Sequence, residues 1–96
     1  MISSNDAIDA AKKYLPDIAG IDAHNIILEE TELSDDNKFL YITLSFYRKR
    51  NSKEKNILDM DFLPEYERAY RVFKVDTETG KVISMKIHDF NLAHAR

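Results

Sequence analysis

The chain has 96 residues, of which 44% are apolar and 32% charged, with a formal net charge of −3 and an isoelectric point near 5.5. This composition predicts one globular, soluble domain rather than a disordered chain. The acidic balance argues against a nucleic-acid binder, and no run approaches the roughly 20 apolar residues of a membrane span.

Cysteine is absent, and the opening MISSNDAIDAAKKYL shows neither the basic start nor the apolar run of a signal peptide. These features lead us to expect a cytoplasmic protein with no membrane and no nucleic-acid partner.

The first predicted element is a short helix. Ser3 and Asp6 have capping-box spacing, with Asp in place of the usual Glu or Gln. Ala7, Ile8, Ala11, Tyr14 and Leu15 then recur at three- and four-residue intervals as one apolar stripe. Pro16 disfavours helix at Leu15, so the helix is expected to end about there. A connector containing Gly20 leads to a first strand over 26–33, IILEETEL. Ser34-Asp35-Asp36-Asn37 is a turn signal.

The second strand, 38–50, alternates clearly. Leu40, Ile42, Leu44 and Phe46 share one face, and Phe39, Tyr41, Thr43, Ser45 and Tyr47 share the other. Residues 51–66 form an irregular insertion between strands 2 and 3, polar at first and then apolar (ILDMDFLPEY).

The last third, Tyr70 to His88, predicts a hairpin closed by Asp76-Thr77-Glu78-Thr79-Gly80. Gly80 supplies a left-handed conformation, and the Asp76 carboxylate can cap the turn. A four-residue loop pairs Asp76 with Lys81, Val75 with Val82, Val72 with Met85 and Tyr70 with Ile87. In that register Tyr70, Val72, Ile83, Met85 and Ile87 form the core face. Arg71, Phe73, Val75, Val82, Ser84 and Lys86 face the other way. The expected fold is a single α+β domain, 1–96, in which the N-terminal helix packs on a curved four-stranded antiparallel meander.

With that order, the chain resembles the PepSY-like group of small cystatin-like domains. The resemblance rests on Ala7-Ile8 with Ala10-Ala11 in the helix. It rests above all on Tyr70-Arg71-Val72-Phe73-Lys74-Val75-Asp76-Thr77-Glu78-Thr79-Gly80-Lys81-Val82. Small bacterial toxin-immunity proteins with a leading helix and a terminal Val-Asp-x-x-Thr-Gly hairpin are similar too. The PepSY-like resemblance implies a binding or inhibitory module without catalytic residues, and both resemblances point to protein binding.

The residues themselves offer little chemistry. His24, His88 and His94 lack metal-ligand spacing, and Asp59 and Asp61 have no glycine-turned loop or third carboxylate nearby. Two glycines leave no room for a phosphate-cradling loop. No catalytic residue, metal or cofactor is expected.

The aromatic placement is more informative. Phe39, Tyr41, Tyr47 and Phe73, with Met60 and Phe62 of the insertion, are the expected partner-binding residues. An aromatic-rich sheet face marks an interface or a covered surface. The expected function is a non-catalytic protein-binding module, inhibitor- or immunity-like, acting by occlusion through the outer sheet face. A second copy of the chain is one candidate partner. The alternative is a small-molecule-binding or catalytic domain with a pocket between helix and sheet.

Overall fold

The computed structural model describes residues 1–49 and 66–88. Helix α1 (Ser4–Asp17) is followed by strands β1 (His24–Leu33), β2 (Phe39–Lys49), β3 (Tyr66–Asp76) and β4 (Val82–Ile87). The strands form one antiparallel sheet in the order β1-β2-β3-β4. The α+β meander is therefore as expected. Among the described residues no helix is long and apolar enough to cross a membrane.

The Ser3 hydroxyl caps α1 by accepting from the Asp6 N–H at 3.1 Å. Ala7, Ala11 and Leu15 are fully buried, as an i, i+4, i+8 stripe requires. The helix runs two residues beyond its expected end, with Pro16 inside its last turn. Proline there removes one ladder bond. The carbonyls around it still find donors, because Ile18 and Ala19 N–H both reach the Tyr14 carbonyl and Ile21 N–H reaches that of Leu15. Lys12 and Lys13 accordingly sit before the last turn, which carries no basic residue.

The core lies between α1 and one face of the sheet. Leu40, Ile42, Leu44 and Phe46 supply the β2 side of it, as alternation predicts. Strand β3 supplies Ala69, Phe73 and Val75, which reverses the expected faces of β3, whereas Met85 of β4 packs on the core as expected. Val75 does pair with Val82, and Asp76 N–H reaches the Lys81 carbonyl at 2.8 Å. The register then shifts by one residue between Lys74 and Val75, so Phe73 pairs with Met85, Val72 with Lys86 and Arg71 with Ile87. The extra residue, Ile83, is more than half exposed. The shift carries Met85 onto the face of Phe73 and leaves Tyr70 and Val72 on the opposite face.

Arg71 lies on the core-side face and is buried. Its guanidinium carbon lies 5.9 Å from the Phe46 ring centroid, and its Nη1 donates to the Tyr70 carbonyl at 2.9 Å. Burial pushes its pKa down, and nearby Arg48 adds to that while Glu67 opposes it. An arginine stays protonated through such a shift.

The two turns at one end of the sheet are fastened together. Asp76 Oδ1 accepts from the N–H groups of Glu78 and Thr79 at 2.7 and 3.0 Å, closing the hairpin loop. Gly80 holds φ at +76°, the left-handed region. Thr77 is buried at the tip, and its hydroxyl is shared between the Asn37 and Lys38 carbonyls of the β1–β2 turn. Its N–H reaches Lys38 as well, and its carbonyl accepts from Ile2 N–H at 2.7 Å. The Asp-x-x-Thr-Gly segment is thus a structural clasp joining the N-terminus and both turns.

Candidate functional site

The sheet face opposite the helix is built by alternation in the two central strands. Cross-strand pairs set Phe39 beside Asp76, Tyr41 beside Lys74, Thr43 beside Val72, Ser45 beside Tyr70 and Tyr47 beside Arg68. Tyr66 continues the β3 row two residues before Arg68. Strand β1 adds Glu29, Glu30 and Glu32 to the same side, with an irregularity between Leu28 and Glu30.

Arg68 is the centre of this face. Its Nη2 donates to Ser45 Oγ at 2.6 Å and to Glu29 Oε2 at 3.3 Å, and the Ser45 hydroxyl in turn donates to the same Glu29 oxygen. The guanidinium carbon stands 5.1 Å from the Tyr47 ring centroid and 5.9 Å from that of Tyr70. Cation–π contacts of this kind each contribute about 0.5–1 kcal/mol at exposed sites. They favour the placement of the guanidinium between the two rings.

Two open hollows flank the cluster. One, of about 280 Å³, is lined by His24, Asn25, Tyr47 and Tyr66, with the His24 and Tyr66 rings edge to face at 5.8 Å. The other, of about 450 Å³, lies by the β1–β2 turn between Glu32, Asp35, Asp36, Phe39, Tyr41 and Lys74. The Lys74 ammonium stands 4.1 Å from the Phe39 ring centroid. The Asp36 carboxylate belongs to its turn, accepting from the Ser34 hydroxyl and the Lys38 N–H.

The expected partner-binding residues separate under this geometry. Phe39 and Tyr41 are half-buried and Tyr47 is 38% exposed, all on the outer face. Phe73 has 0% exposure and packs edge to face on Tyr14 of the helix at 6.0 Å, so its placement on the outer face is corrected. Met60 and Phe62 lie outside the described residues. Tyr66, Arg68 and Tyr70 were not among the expected site residues. Their signal is the every-second-residue spacing Tyr66-x-Arg68-x-Tyr70, hidden by taking Tyr70 as core.

The helix–sheet interface is filled by Ala7, Ala11 and Leu15 against the β2 and β3 core residues. An open apolar groove of about 360 Å³ runs along its margin between Ala10, Lys13, Tyr14, Asp17, Ile18, Lys81 and Val82. Among the described residues no group of three or more His, Asp or Glu side chains is placed to hold a metal ion.

Among the described residues, the carboxylates of Glu29, Asp76 and Asp36 are held below their ordinary range. Glu29 is lowered chiefly by the Ser45 hydroxyl and further by Arg68, against some desolvation. Asp76 is lowered by the Thr79 and Glu78 N–H groups, and Asp36 by the Ser34 hydroxyl and the Lys38 N–H. A depressed carboxylate stabilises the fold above its unfolded pKa, and that contribution disappears as pH falls through the folded value. The melting temperature is therefore expected to hold steady near neutral pH and to fall once the pH drops below the ordinary values of 4.5 and 3.8. Asp76→Asn should flatten that acid limb. A variant with an unchanged acid limb would show that the Asp76 carboxylate does not contribute as described.

No protein-family model, no curated protein and no solved structure matches the chain.

Proposed function

We propose that the protein is a non-catalytic protein-binding module that occludes its partner through the outer face of the sheet. The observation that carries this reading is the contiguous array of Tyr47, Arg68 and Tyr70, flanked by Tyr41, Tyr66 and Phe39. Tyrosine and arginine dominate binding hot spots because they offer large contact area with few rotatable bonds and retain polar atoms for specificity. The contacts already made among Tyr47, Arg68, Tyr70 and Ser45 leave these side chains less freedom to lose on association.

An inhibitor- or immunity-type role, as the PepSY-like and immunity-protein resemblances imply, fits such a surface. It would block a partner by contact area rather than by chemistry.

The test is a double substitution on the outer face. Tyr41→Ser with Tyr47→Ser should leave the melting temperature within a few degrees of the parent, because neither ring is in the core. Partner capture should weaken about 10- to 1,000-fold, the range for losing two hot-spot aromatics. A folded variant that still captures its partner with parental affinity would refute the reading.

A further inference from the structure

Both edges of the sheet are open among the described residues, and they differ in charge. Strand β1 carries Glu29, Glu30 and Glu32, whereas residues 81–88 carry Lys81 and Lys86 and no acid. Neither Glu30 nor Lys86 has an ion-pair partner within the described residues.

The strand pairings place these side chains in matching rows. One row across the sheet runs Glu30–Thr43–Val72–Lys86, acid at one edge and base at the other on the outer face. The next row on the helix side runs Leu28–Leu44–Arg71–Ile87, and its ends are 43% and 73% exposed.

From this matching we infer that a second copy of the chain pairs its β4 edge with the β1 edge of the first, extending the sheet head to tail. Strand directions alternate through the four-stranded meander, so a copy moved sideways without inversion sets β4 antiparallel to β1. Lys86 of one copy then meets Glu30 of the other, and Ile87 meets Leu28. The helix layer follows the same pattern. Exposed Ile18 flanks Val82 at the β4 side, and exposed Met1 flanks Thr31 and Leu33 at the β1 side. A second copy joined β1 to β1 would instead bring the glutamates together, which cross-strand electrostatics disfavours.

Irregularities limit the contact. The β1 register is interrupted between His24 and Ile27 and between Leu28 and Glu30, and the β4 register is shifted at Ile83. Bulges of this kind restrain edge-to-edge growth. The regular stretches that share rows, Glu30 to Glu32 and Ser84 to Lys86, are three residues each, so association is short, weak and reversible. A head-to-tail contact leaves one edge free at each end and does not stop at a dimer. This contact is separate from the outer face and does not depend on the function proposed for it.

Sedimentation velocity over a concentration series of the full chain tests the inference. The parent should show an average sedimentation coefficient that climbs past the dimer value with concentration and falls with added salt. Glu30→Lys and Lys86→Glu should each weaken association roughly 3- to 30-fold, the span expected when an opposite-charge cross-strand pair becomes a like-charge one. The double variant E30K/K86E should associate again, and so should an equimolar mixture of the two single variants. A parent that stays monomeric, that stops at a closed dimer, or that is indifferent to both reversals would overturn the inference. A double variant no stronger than the singles would overturn it as well.

Discussion

Replacing Phe73 by alanine should cost the protein about 3–5 kcal/mol of stability, the usual loss for truncating a buried aromatic. The ring is wholly buried, packs edge to face on Tyr14, and lies in a row between Ile42 and Met85. Few neighbours can close the space it leaves, because Ala7 and Ala11 on the helix are already small and fully buried. Denaturant unfolding of the variant measures the effect. A loss under about 1 kcal/mol would place Phe73 on a surface and return the hairpin to the opposite face.

Leu44→Ala should be nearly as damaging, with a loss of about 2–5 kcal/mol. Leu44 sits fully buried in the middle of β2, between Leu28 of β1 and Arg71 of β3. For a domain of this size the melting temperature should drop by about 10–30 °C. A drop of only a degree or two by calorimetry would contradict a core centred on β2.

The helix, the strand order and both turns were legible in the residues. Ser3 and the Ala7–Ala11–Leu15 stripe mark the helix, strict alternation marks β2, and Asp76 with Gly80 marks the hairpin loop. Each of these signals is local, and tertiary contacts reinforce rather than oppose it.

The faces of β3 were not legible for two physical reasons. Both of its faces carry apolar side chains, so alternation alone does not say which one meets the helix. Arg71 on the core side and Tyr70 on the outer side then argue for the wrong choice. The decisive fact is the extra residue at Ile83, which moves Met85 to the side of Phe73 and leaves no trace in hydrophobic pattern. The end of the helix was misplaced because Pro16 sits in the last turn, where only one ladder bond is lost. The outer face was legible in β2, through Phe39, Tyr41 and Tyr47. In β3 it was not, since assigning Tyr70 to the core hid Arg68 and its contacts.

Phe73 and Leu44 lie in the core, and the proposed binding role falls on the opposite face, at the Tyr47–Arg68–Tyr70 array. The most direct measurement compares the Tyr41→Ser, Tyr47→Ser variant with the parent in two assays on the same sample, thermal melting and quantitative partner capture. The expected result is an unchanged melting temperature with capture largely lost. Parental capture by the folded variant, or unfolding of the variant at ambient temperature, would contradict a binding role for this face.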